Sequence, residues 1–345
     1  MKSEGIKYFL TMNIQTIKLT DFVLKSARKY LESQNYTEVV TPRVVRASGA
    51  CENVNTLFEV SSEENMKWFN GHKAYLAQTG QLYLEALVPT LKNVYCIGPS
   101  FRAEQKVDAR HLTEFQMIEI EHPGGFSELL SYIEGFVSSI ARDVANYTDA
   151  TKEFGLSEER LKKLATCPIE FTKINYDEAI EKLKTLGEDI KWGDDINTKQ
   201  EALLVKEFGD QPVFITRFPD PMHDFGQPIE VEKFFNMLPD PQNPGRVLSS
   251  DLILPFSGEA VGAAARVHEA DILVQRLENS RMFKRLQERG GGIEDFQWYI
   301  NQVKTNGAVP HAGCGFGMSR IMQWIIGTDD IRNAVAFPSN KEELI

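Results

Sequence analysis

The chain has 345 residues, enough for one large domain or two small ones. Hydrophobic residues make up 42% and charged residues 25%, as in ordinary globular proteins, and no apolar run reaches the roughly 18 residues that a membrane span needs. The net charge of −11 is a poor footprint for general nucleic-acid binding, and residues 1–10 lack the apolar core and cleavage site of a signal peptide, so a cytoplasmic protein is expected.

Residues 20–35 read as a helix, with Phe22, Val23, Ala27, Tyr30 and Leu31 close to a 3.6-residue period and Thr20 or Asp21 as its cap. A short extended piece over 37–40 stops before Pro42. A strand over 94–97 ends at Gly98-Pro99, and a second runs from about 112 to 120 beyond a polar loop at 105–110. The two form a long antiparallel hairpin. Residues 127–147 make a strongly amphipathic helix, and 177–186 and 198–208 make shorter ones. A strand is expected at 213–216. Residues 221–242, rich in Pro, Asp and Gln, read mostly as loop, with a strand at 233–237. A strand follows at 247–255, then a helix over 271–288 stopped by Gly290-Gly291-Gly292. Helices at 296–306 and 317–326 complete the chain.

Hairpins outnumber βαβ units, so the fold class is α+β, a mostly antiparallel β-sheet flanked by helices. The P-loop signature is absent. Cys51, Cys96, Cys167 and Cys314 are far apart and read as reduced structural thiols.

Three clusters carry chemistry. In the first, Phe101-Arg102-Ala103-Glu104 ends a strand, and Phe115, Met117, Glu119 and Glu121 share one face of the returning strand because side chains alternate. The set suits ATP: arginine forks onto phosphate, a ring stacks on adenine, and Glu104 accepts from an amino group. A surface hairpin with scattered ion pairs has the same pattern. In the second, Gly313-Cys314-Gly315-Phe316-Gly317 precedes a helix in which Arg320, one turn in, could project toward an anion; taken alone, the cluster reads better as a tight strand-to-helix turn. In the third, Asp251 and Glu259, eight residues apart, could hold Mg²⁺ against phosphate oxygens, with Arg266 forking onto a substrate carboxylate. A solvated hairpin is the alternative.

Together these clusters resemble the signature elements of class II aminoacyl-tRNA synthetases. Residues 24–42 are similar to the first motif, a helix, strand and proline at a dimer interface. Residues 101–121 resemble the Phe-Arg-x-Glu hairpin, and Gly315, Gly317 and Arg320 the Gly-x-Gly-x-x-Arg motif. Gln81 with Glu85, Arg110-His111-Leu112, Trp192-Gly193-Asp194-Asp195 and Val309-Pro310-His311 look asparaginyl-type, so the resemblance spans about residues 17–338. It implies a catalytic domain over 17–345 behind a short segment 1–16, and a homodimer. It also implies site roles. Arg102 would hold the α-phosphate and the substrate carboxylate. Phe115 and Arg320 would sandwich adenine, with Arg320 also touching the γ-phosphate, and Glu104 would meet the adenine amino group. Arg110 and His111 would reach the outer phosphates. Asp251 and Glu259 would bind Mg²⁺. Glu52 and Gln81 would hold the substrate α-amino group, and Arg266 its side chain. Catalysis is then positioning and charge neutralisation.

The chain departs from that family in the stretch before its first motif, where the anticodon-binding barrel is expected to be missing, and in Gly262-Ala263-Ala264-Ala265, where glycines and serine are usual. His268 beside Arg266 suits a pocket that reads a carboxylate, with a structural histidine as the alternative. Residues 220–230 look like an insertion near the substrate, and Ser339 follows Phe337-Pro338 where arginine is common. The expectation is ATP-dependent, AMP-forming activation of aspartate or a close analogue, with transfer to ammonia or another amine, as in an asparagine synthetase-like ligase. Charging of tRNA or another carrier without anticodon reading, and a non-catalytic regulator, are the alternatives.

Overall fold

The computed structural model describes residues 2–46, 54–62 and 68–342, with residues 2–13 as helix backbone only. The strands are β1 (Thr37–Glu38), β2 (Val44–Val45), β3 (Glu59–Val60), β4 (Ala74–Leu76), β5 (Val94–Phe101), β6 (Glu114–Pro123), β7 (Thr172–Asn175), β8 (Val213–Thr216), β9 (Ser249–Leu254), β10 (Gly258–Ala265) and β11 (His311–Gly317). The α-helices are α1 (Lys2–Ser33), α2 (Gln81–Leu91), α3 (Phe126–Ala145), α4 (Ala150–Phe154), α5 (Glu158–Ala165), α6 (Tyr176–Thr185), α7 (Thr198–Glu207), α8 (Ala270–Asn279), α9 (Arg281–Glu288), α10 (Gln297–Asn306) and α11 (Met318–Ile326).

Eight strands form one sheet in the order β1-β5-β6-β11-β10-β9-β8-β7. The six central strands pair antiparallel, while β1 and β7 join the two ends in parallel. β2, β4 and β3 form a separate small sheet. The expected α+β class with a mostly antiparallel sheet is therefore what the chain adopts.

The sheet is covered by a core in which Leu19, Val23 and Ala27 of α1, Ile133, Phe136 and Val137 of α3, and Ile321, Met322 and Ile325 of α11 are buried against the strands. Burial of each of these side chains except the small Ala27 contributes about 1.5–3 kcal/mol, so helix packing rather than helix propensity holds these elements. A second core under α8, α9 and α10 packs Phe235, Leu273 and Phe296. A third joins α6 and α7 to β8 and β9 through Ile180, Leu204 and Ile253.

Several elements differ from the sequence reading. α1 begins at Lys2, and Thr20 lies inside it, where its hydroxyl donates to the carbonyl of Thr16 at 2.8 Å instead of capping a start. β5 continues through Pro99 to Phe101. Its neighbour β1 is only two residues long and pairs at Val94 and Tyr95, so Pro99 needs no ladder donor on that side. The expected helix over 271–288 is two helices broken at Ser280, whose hydroxyl accepts from the Phe283 amide at 3.0 Å. No strand forms over 233–237; only Met237 makes a bridge, to Arg266. The alanine and glycine stretches 258–265 and 311–317 are the central strands β10 and β11.

Candidate active site

The long strands β6, β11, β10 and β9 floor a cavity of about 500 Å³. Arg102, Glu104, Arg110, His111, Phe115, Arg320, Gln81, Arg266, Asp251 and Glu259 all line it. The sequence drew these residues from segments more than 200 positions apart, and the sheet brings them together. Glu52 lies outside the described residues. His268 does not reach the cavity; it lines a separate pocket of about 20 Å³, and its Nδ1 lies 3.0 Å from the carbonyl of Arg266. Two positions beyond an arginine on a strand a side chain shares its face. β10, however, ends at Ala265, and the alternation does not carry on to His268.

At one end of the cavity the Arg102 guanidinium, just past the end of β5, lies over the Phe115 ring of β6, 5.2 Å from its centre, a cation–π contact across the hairpin. Arg320, in the first turn of α11, donates to the carbonyls of Ser257 (2.7 Å), Glu259 (3.2 Å) and Arg110 (3.0 Å). Burial and the nearby Arg110 lower its pKa to about 10, so it stays a cation at neutral pH. Arg110 donates to the carboxylate of Glu201 on α7 at 2.9 Å. Gly258, at φ +69°, makes the β9–β10 turn beneath this pair, and a side chain there would overlap both Arg110 and Glu201. His111 Nδ1 contacts both carboxylate oxygens of Asp108 at 2.8 Å.

At the middle of the cavity Asp251 on β9 and Glu259 on β10 sit on adjacent strands. The Lys233 ammonium donates to Asp251 Oδ2 at 2.6 Å and lies 3.7 Å from the centre of the Phe218 ring. Burial pushes the Asp251 carboxyl up to about 7, against the pull of Lys233. Burial also raises the pKa of Asp195, which lines the same wall. Among the described residues no group of three or more His, Cys, Asp or Glu could hold a metal unaided. Asp251 and Glu259 still fit Mg²⁺, which commonly takes one or two carboxylates and completes its shell with phosphate oxygens and water.

At the far end Arg266 donates to Glu121 at 2.7 Å (Nη2) and 3.1 Å (Nε), and Glu85 stands 3.9 Å away. Burial pushes the Glu121 carboxyl up to about 7, with Arg266 opposing. Glu85 accepts from Gln81 (2.7 Å), Asn236 (2.8 Å) and Tyr299 (2.5 Å). His311 Nδ1 lies 2.7 Å from the carbonyl of Val309 and its Nε2 3.2 Å from Glu85, so both ring nitrogens face acceptors. Burial disfavours the His311 charge, but the bond to Glu85 outweighs it and raises the pKa. Gln81 starts α2, whose N-terminus is held by Glu119: its carboxylate accepts from Thr79 and from the Gly80 amide at 2.8 Å.

Sequence reasoning missed Lys233, which sits in a segment without periodicity, and Glu201, which reads as a polar residue of a surface helix. Asp195 stood within a quoted motif without a role.

A mostly antiparallel sheet, an Arg–Phe pair on one hairpin and an arginine opening the last long helix define the catalytic core of a class II aminoacyl-tRNA synthetase. More narrowly, the chain belongs to the family described as tRNA synthetases class II (D, K and N), which it matches over residues 6–341. It is 35% identical over 316 residues to the asparagine–tRNA ligase of Pelotomaculum thermopropionicum, covering 91% of this chain and 66% of the relative. It is 36% identical over 325 residues to that of Chloroflexus aurantiacus, covering 92% and 67%. It also superposes on asparaginyl-tRNA synthetase from Pyrococcus horikoshii, solved in complex with asparaginyl-adenylate, with a TM-score of 0.80 and 32% identity over 96% of this chain and 70% of that one. The chain thus spans about two thirds of the length of its curated relatives.

Proposed function

We propose that this chain is an ATP-dependent ligase that activates an amino acid of the asparagine or aspartate kind as an acyl-adenylate, releasing pyrophosphate. The observation that carries this is the convergence of Arg102, Phe115 and Arg320 with Asp251 and Glu259 in one cavity. The fold it shares with a protein solved with an adenylate bound supports it. In this reading the substrate carboxylate attacks the α-phosphorus and pyrophosphate leaves, so no side chain needs to be a nucleophile. Arg102 holds the reacting carboxylate and α-phosphate and stabilises the charge that builds there. Phe115 and Arg320 flank adenine, Glu104 meets its amino group, and Arg110 with His111 reaches the outer phosphates. Bound Mg²⁺, held by Asp251 and Glu259, would supply further neutralisation of the triphosphate.

The far end of the cavity sets the side chain. Arg266 there is charge-balanced by Glu121, so the site suits a carboxamide: its oxygen accepts from Arg266 and its NH₂ donates to Glu121. A carboxylate also fits when Glu121 carries a proton, which its raised pKa permits near neutral pH. Asparagine and aspartate are both candidate substrates, with Gln81 near the α-amino group.

Two acceptors fit the adenylate. The relatives are tRNA ligases, which favours tRNA. The net charge of −11 favours ammonia or another small amine, the asparagine synthetase-like course. AMP release from ATP and Mg²⁺ separates them, measured with each amino acid, with and without ammonia, and with total tRNA. AMP that needs aspartate and ammonia alone establishes the amide ligase; charged product only with tRNA establishes the tRNA ligase. No AMP with any acid would support the non-catalytic alternative. The exposed apolar Ile14, Ile17, Val40 and Val44 support a homodimer through α1 and the strands after it, which light scattering of the purified chain tests.

A further inference from the structure

Lys233 enters the cavity from the non-regular segment between β8 and β9, and its ammonium is held on two sides. Asp251 accepts from it at 2.6 Å, and the Phe218 ring covers it at 3.7 Å. The side chains of Lys233 and Asp251 are only 13% and 14% exposed. Asp195 and Glu259 line the same part of the wall. The lysine therefore stands on one of the two carboxylates that would take the metal. Mg²⁺ bonds carboxylate oxygen at about 2.0–2.1 Å, so an ion on Asp251 would lie within a few ångströms of the ammonium. Two positive charges that close repel, and the burial of Lys233 and Asp251 strengthens the repulsion. Triphosphate oxygens change the balance, because their negative charge accommodates both cations.

We propose that Lys233 is a resident cation that keeps Asp251 closed to a divalent metal until a nucleotide's phosphates enter, making metal binding conditional on ATP. The identity of the anion rests on the adenylate-forming reading; the competition between lysine and metal rests on the geometry alone. Phe218 has the supporting part of holding the ammonium against the carboxylate.

The test is Mn²⁺ binding to the full chain, followed by the electron paramagnetic resonance signal of free Mn²⁺. Wild type is expected to take up Mn²⁺ only when a non-hydrolysable ATP analogue is present. Lys233→Met should bind Mn²⁺ without nucleotide at least about tenfold more tightly than wild type, equivalent to about 1.4 kcal/mol. Lys233→Arg, which keeps the charge, should behave as wild type, and adding Asp251→Asn to Lys233→Met should abolish the gain. Lys233→Gln serves if the methionine variant fails to give a native circular dichroism spectrum. Equal nucleotide-free binding by wild type and the neutral variants overturns the proposal. A gain in those variants with no analogue binding by any form would uphold the lysine–metal competition and count against the adenylate reading instead.

Discussion

Arg276 on α8 holds the segment that carries Lys233 and Phe235 to the wall of the cavity. Its guanidinium donates twice to Asp220, at 2.8 and 3.1 Å, and once to the carbonyl of Phe235 at 2.8 Å. Arg276 is 8% and Asp220 5% exposed, so the pair is effectively in the interior. Arg276→Met removes the partner and leaves a buried carboxylate. Breaking a buried pair in this way costs about 3–5 kcal/mol. Asp220 keeps one hydrogen bond, from the Met222 amide at 3.1 Å, which places the expected loss near the lower end, about 3 kcal/mol. Arg276→Met with Asp220→Leu removes both charges, and such replacements are often neutral or stabilising. The residual loss then comes mainly from the unpaired Phe235 carbonyl, about 1–3 kcal/mol, with a smaller part from the half-buried Met222 amide, which loses Asp220 as its acceptor. Urea denaturation followed by tryptophan fluorescence measures all three proteins. A single variant that loses under about 1 kcal/mol, or a double variant no more stable than the single, would refute the argument that an uncompensated buried charge dominates here.

Other expected outcomes are briefer. Arg102→Ala should lower amino-acid-dependent AMP formation by about 100- to 1,000-fold with an unchanged circular dichroism spectrum, the usual effect of removing one positioned donor; wild-type turnover would put the active site elsewhere. Gly313→Ala places a methyl group against the Glu121 carboxyl and the Ile120 carbonyl, so thermal melting should show a loss of about 1–3 kcal/mol, together with weaker amino-acid binding by calorimetry. Use of aspartate relative to asparagine should fall as pH rises through about 7, because the carboxylate needs Glu121 protonated while the carboxamide needs it ionised; the ratio of the two kcat/KM values across pH 6–8 checks this, and Glu121→Gln should flatten it.

The hairpin of Arg102 and Phe115 was legible because Val94-Tyr95-Cys96-Ile97 is a compact apolar run ahead of Gly98-Pro99, and Phe115 and Met117 alternate with polar residues on the returning strand. β10 and β11 were harder to read as strands. Ala263, Ala264, Gly313 and Gly315 carry little strand preference, and their place is set by neighbours: a side chain at Gly313 would overlap Glu121 on β6. Lys233 gave no local signal, since only the fold brings it to Asp251. His268 shows the opposite case, a residue that alternation would place beside Arg266 but that lies past the end of its strand.

Amino-acid-dependent exchange of labelled pyrophosphate into ATP tests the central claim most directly, because it reports adenylate formation whatever the acceptor. The account predicts exchange with asparagine, aspartate or both, reduced about 100- to 1,000-fold in Arg102→Ala. No exchange with any amino acid, from folded protein that binds ATP, would contradict it.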